Sequence, residues 1–246
     1  MALFNDQRLD YHNPDRYLTL LSSLPANLSL FAAKKTPLSR LKLEQKLTLL
    51  AAPERRLLAD IEGVLQWGYL SAAMKHEYLD DGSLLPVREI KRVLASINDR
   101  QLKQLVCEKL DFRTLLGALR HRHQNADQPL QGEWTVSRFK HTIESNWQEP
   151  YFRLEHARPW LIEAKQLIDD DQPLLLEKLL LHTAWQHLSR AAAQQTFSFY
   201  SLVVYVLKWN IVERWTRYDG EAAASRFQQL IAESLANLPD DVQGEE

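Results

Sequence analysis

Eight histidines, one cysteine and a run of three aspartates are the residues of this 246-residue chain that could carry metal or nucleophilic chemistry. A metal site needs several ligands converging on one point. The spacings do not supply them. No histidine has a glutamate three positions before it, so the Glu-x-x-His pattern of di-iron helix bundles is absent. His76-Glu77 lacks the second histidine of a His-Glu-x-x-His zinc helix. His121 and His123 would point about 200° apart on a helix, and His182 and His187 share a face poorly. Asp169, Asp170 and Asp171 are consecutive and precede Pro173. Carboxylates there favour the positive start of the following helix; a divalent-cation site is the alternative reading. Cys107 follows Val106 on an apolar stripe and reads as a small core residue. Gly-rich phosphate loops, a Walker lysine and a Gly-x-Ser-x-Gly elbow are all missing. The expectation is a chain with no catalytic residue, no cofactor and no metal ligand.

The remaining candidates concern protein partners. Trp209 and Trp215 flank Glu213 and Arg214, and tryptophan and arginine are enriched among residues that dominate interfaces. Core packing is the competing reading for the tryptophans. Arg120, His121, Arg122 and His123 stand at an expected helix end, where cations favour the negative pole. A solvated helix end competes there with a contact for an acidic partner. The candidate partner-binding residues are therefore Arg120, Arg122, Trp209, Arg214 and Trp215.

The elements that must position them read as helices. Leucine occurs 44 times, valine and isoleucine together 18 times, and glycine 7 times. Leucine favours helices, and the β-branched residues that favour strands are scarce. The expected fold is an all-α multi-helix array of about nine to eleven helices. Leu43, Leu47 and Leu50 recur at helical spacing after Pro37. Leu57, Leu58, Ile61, Val64, Leu65 and Tyr69 do so after Pro53, which suits a first helical turn. Gly63 and Gly68 weaken that helix, and Asp80-Asp81-Gly82 marks a turn. Ile90, Val93, Leu94 and Ile97 form the next stripe. Asn98 with Gln101 has capping-box spacing, and Asp111 is placed to cap a further helix. Residues 124–132, with Pro129 and Gly132, read as a loop between an N-terminal half (1–124) and a C-terminal half (133–238). Whether the two pack as one domain stays open. Beyond the loop, Phe139, Ile143 and Trp147 resume the helical period, and Trp160, Ala164, Leu167 and Ile168 give a short helix. Residues 197–218 are apolar nearly all round until Lys208 and read as a central helix. A last amphipathic helix carries Phe227, Leu230, Ile231 and Leu235, and the acidic tail 239–246 frays.

Charge and hydropathy exclude further classes. A formal charge of -2 and a pI near 6.5 give no global bias toward a nucleic-acid backbone. One cysteine forbids an intrachain disulfide and suits a reducing cytoplasm. The uncharged stretch 191–207 is shorter and more polar than the roughly 20 apolar residues a spanning helix needs. Residues 1–10 contain Asp6 and Arg8 and do not read as a secretory signal.

Two landmarks then resemble a family. Tyr17-Leu-Thr-Leu-Leu-Ser-Ser-Leu-Pro25 resembles the opening of bacterial proteins encoded among the subunits of V-type ATPases. The segment from Tyr205 through Lys208 to Glu213-Arg214-Trp215 resembles their second landmark. That family is similar to the C (or d) component of V/A-type ATPases. The stretch from Leu110 to Arg120 resembles a helix of that component, with Arg113 or Thr114 where the helix carries asparagine. The resemblance implies a non-catalytic coupling or assembly part that links central stalk and membrane rotor. It also implies a funnel-like helix array, stalk and rotor subunits as partners, and a cytoplasmic location at the inner membrane. An unrelated all-α adaptor or regulator is the alternative function, and an all-α metal-dependent enzyme the third.

Overall fold

Helix starts follow the local chemistry of the chain. The computed structural model describes residues 14–26, 30–65, 85–124, 127–193 and 195–236, and these are helical, without strands. Nine α-helices occur among them: α1 (Pro14–Ser23), α2 (Arg40–Leu47), α3 (Ala52–Val64), α4 (Leu85–Ser96), α5 (Arg100–His123), α6 (Lys140–Ser145), α7 (Trp160–Asp169), α8 (Pro173–Ala192) and α9 (Phe199–Ala236), with a 3-10 turn at Leu30–Ala32. Ser39 caps α2, its hydroxyl accepting the Lys42 N–H at 3.4 Å. At the head of α3 the Glu54 carboxylate accepts the Ala51 N–H at 2.9 Å, and Pro53 sits in the first turn as expected.

Three expectations are corrected. The cap of α5 is Asp99, whose carboxylate accepts the Leu102 N–H at 2.9 Å, one residue later than Asn98. Asp111 begins no helix. It is buried inside α5, which runs unbroken for 24 residues. The carboxylate holds a loop instead: Ser137 Oγ donates to it at 2.6 Å and Arg138 Nε pairs with it at 2.9 Å. A hydroxyl pair between Thr114 and Thr135 at 2.7 Å reinforces the clasp. Finally, the central and terminal helices are one. α9 has 38 residues, about 57 Å at 1.5 Å per residue, and passes straight through Gly220. A lone glycine costs a helix only about 1 kcal/mol, and no proline intervenes. Gly68, Tyr69, the 80–82 turn and the 239–246 tail lie outside the described residues.

The apolar faces gather into two cores. The larger contains Tyr17, Leu43, Ile61, Leu102, Val106, Leu188, Val203 and Trp209, so segments from both chain halves share it. The smaller contains Leu115, Leu119, Trp134, Ile143, Phe152, Leu161 and Leu180. α5 and α8 run through both. Leu102 to Leu110 of α5 serve the larger core and Leu115 to Leu119 the smaller; on α8, Leu176 and Leu180 serve the smaller and Leu181 to Ala191 the larger. α9 packs on α8, α1, α3 and the 3-10 turn, while α7 packs on α5 and α8. Where α5 crosses from one core to the other, a cavity of about 870 Å³ opens between α3, α5, α8 and α9.

Candidate functional site

The two tryptophans do not form a free surface. Trp209 is 1% exposed, and its indole N–H donates to the Leu38 carbonyl at 3.0 Å. Trp215 is 6% exposed. Both belong to the larger core, so the partner-contact expectation is corrected for them in favour of packing. Their period explains it: Trp209, Val212 and Trp215 recur every three residues on one face of α9, and Val212 is fully buried there.

The three arginines divide. Arg122 braces the smaller core. Its guanidinium donates to the carbonyls of Trp147, Glu149 and Pro150 and lies 4.6 Å from the centre of the Phe152 ring. Its burial there pushes its pKa down from the usual range. Arg122 thus has internal partners while staying half-buried. Arg214 makes a two-pronged pair with the buried Glu177 carboxylate, one prong at 3.0 Å. Arg120 is exposed at the end of α5, close enough to feel the charges of both Glu177 and Arg214. Burial of its stem, and next the influence of these neighbours, moves its pKa, with burial setting the downward direction. The structure thus pairs Arg214 with Glu177, places Arg120 within electrostatic range of both, and sends Arg122 elsewhere.

Sequence reading passes over the apolar members of this surface. Phe31, on the 3-10 turn, is 42% exposed yet held from two sides. Its ring meets Trp215 edge-on at 5.1 Å and stacks over His182 at 6.1 Å. The Lys178 amine lies 5.6 Å from the Trp215 ring centre. One turn before Lys178 are the exposed Leu174 and Leu175 at the head of α8. Trp215 therefore works from beneath, as the floor under Phe31 and Lys178. Arg214, its neighbour in the chain, leads from this floor to Glu177 and Arg120. A single phenylalanine on a three-residue turn belongs to no apolar period, so no sequence argument reaches it.

Among the residues considered for metal chemistry, Asp169, His123 and His187 have other partners, and His76 lies outside the described residues. Asp169 pairs with Lys165 and with His123, which hold its carboxyl below the usual range. His187 hydrogen-bonds Glu108 at 2.7 Å, and burial followed by the nearby Lys109 charge lowers its pKa. The described residues contain no cluster of three or more histidine, cysteine or acidic side chains suited to a metal. Burial, then the Asp111 charge, raises the Cys107 thiol, the opposite of nucleophile activation. No described helix is long and apolar enough to cross a membrane. Comparison with protein-family models, with curated proteins and with solved structures returns no match.

Proposed function

We infer that this chain is a non-catalytic helical adaptor, and more narrowly a coupling or assembly subunit of a bacterial V-type ATPase that joins central stalk and membrane rotor. One observation carries the adaptor reading: an exposed phenylalanine, Phe31, is locked in place by Trp215 and His182, with Lys178 over the same indole. A preformed aromatic anchor beside cationic side chains is the kind of patch that contributes most to protein interfaces, because little side-chain freedom is lost on binding. The narrower reading draws its support from the two sequence landmarks, which resemble proteins encoded with such ATPases. It also places the protein in the cytoplasm, peripheral to the inner membrane through its partners, and gives it no cofactor and no nucleic-acid role. Shared cores on α5 and α8 suit the task, since a part that transmits force must not come apart between its halves.

Expression of the tagged chain in bacterial cells that carry the ATPase, followed by quantitative mass spectrometry of stalk and rotor subunits, tests this. The wild-type chain retains them, and Phe31→Ala or Arg120→Glu reduces retention about ten-fold, as truncation of an interface anchor does. Equal retention by both variants, with Leu41→Ala on another exposed site as control, contradicts the assignment of this surface.

A further inference from the structure

The cavity at the α5 crossover has a use that the adaptor role does not require. Its volume, about 870 Å³, lies in the range of small-molecule sites. Its walls mix apolar side chains, among them Phe112, Leu188 and Leu207, with five basic and two acidic ones. Three of the basic groups have carboxylate partners: Arg40 with Glu62 and Glu44, Arg214 with Glu177, and Arg217 with Glu213. Arg113 donates to the Val64 carbonyl at 2.7 Å. Lys109 differs. Its amine donates to the carbonyl of Ala184, itself a cavity residue, at 3.1 Å, and no ion-pair partner exists for it among the described residues. Glu108 acts on this half-buried ammonium without forming an ion pair, and an anion entering the cavity would supply a closer counter-charge. Desolvation pushes this amine down to about 7, only partly offset by Glu108.

We propose that the cavity is a binding site for a small amphipathic anion, whose carboxylate or sulfonate head pairs with Lys109 while its apolar body lies against the half-buried Phe112 and Leu65. Both features of the ligand class follow from the walls: an amine with no ion-pair partner among the described residues favours a negative head, and the apolar lining rewards a hydrocarbon body. Gly63, also on the wall, faces open space, because a Cβ built there meets nothing within 4 Å. A larger side chain at that position enters the cavity without a backbone clash.

The test uses the full chain and the fluorescent aryl sulfonate 8-anilinonaphthalene-1-sulfonate. One saturable site with blue-shifted emission is expected. Lys109→Met keeps the stem and removes the charge, and weakens binding about ten-fold or more, the worth of one charged contact. Gly63→Leu fills the space and has the same effect through volume. Decanoate displaces the probe and decanol does not. Binding that is unchanged in both variants overturns the site, and so does displacement by decanol as readily as by decanoate. Absence of saturable binding to the folded wild-type chain also overturns it. A cooperative thermal transition in each variant separates loss of the site from loss of the fold. Failure of this experiment leaves partner retention through Phe31 unaffected, so the two readings fall independently.

Discussion

Buried polar residues carry definite tasks in this protein, and two of them give sharp expectations. Glu54 is 1% exposed and collects the Tyr17 hydroxyl, the Ala51 N–H at 2.9 Å and the Arg16 guanidinium at 3.0 Å. Removing the carboxylate takes this acceptor away from a buried phenol and a helix-start N–H. Glu54→Ala is expected to cost about 2–3 kcal/mol, read as a lower urea midpoint at unchanged slope. Lys109 gives a pH signature. Its amine titrates near 7 when folded, against the usual lysine value near 10.5. Between these values the unfolded chain binds a proton that the folded chain does not. Stability from this group therefore rises with pH from about 7 upward, and the full penalty is present below 7. Its titratable neighbours are His187 from α8 and Glu108 on its own helix, while Glu62 of α3 and Glu213, Arg214 and Arg217 of α9 share the cavity wall. Lys109→Met is expected to be more stable than wild type at pH 6, with the difference shrinking by pH 9. Parallel denaturation curves at the two pH values check this; a constant difference would contradict a desolvated amine.

Among the helices, α5 bears the most structural duty, since it serves both cores and clasps the loop before α6. Gly117 lies on it with open space where a Cβ would stand. Gly117→Ala is expected to stabilise the fold by about 1 kcal/mol, seen as a raised melting temperature. Asp111→Ala should do the reverse by releasing Ser137 and Arg138. Faster limited proteolysis within 127–139, with the rest of the chain still resistant, is the expected outcome. Leucine abundance and period make α3, α7, α8 and the central part of α9 legible in the sequence. Helix ends are less so. Asn98 and Asp99 are both good caps, and only backbone geometry chooses between them. Asp111 resembles a cap because its side chain suits one; its real partners, Ser137 and Arg138, are 26 and 27 residues away and invisible to local reading. The same limit governs the site. Arg120 and Arg214 are found by residue type, but the pairing of Arg214 with Glu177 depends on how α8 packs against α9. Phe31 stays hidden because its partners, His182 and Trp215, lie more than 150 positions along the chain.

The described residues form a helix array in which α1 and the first half of α9 share one core, with α5 and α8 tying that core to a second. Such cross-tying makes a stiff body, and stiffness suits a part that holds other machinery in register. The exposed anchor at Phe31 and the cations of α8 and α9 give the body a place to be held; the cavity gives it a place for a small anion. Neither depends on catalysis. The coupling role is tested most directly by purifying the bacterial V-type ATPase through a tag on a central-stalk protein and quantifying this chain in the complex. A fixed ratio of this chain to the stalk through successive purification steps is the predicted result. An intact, active ATPase that contains none of it would contradict the account.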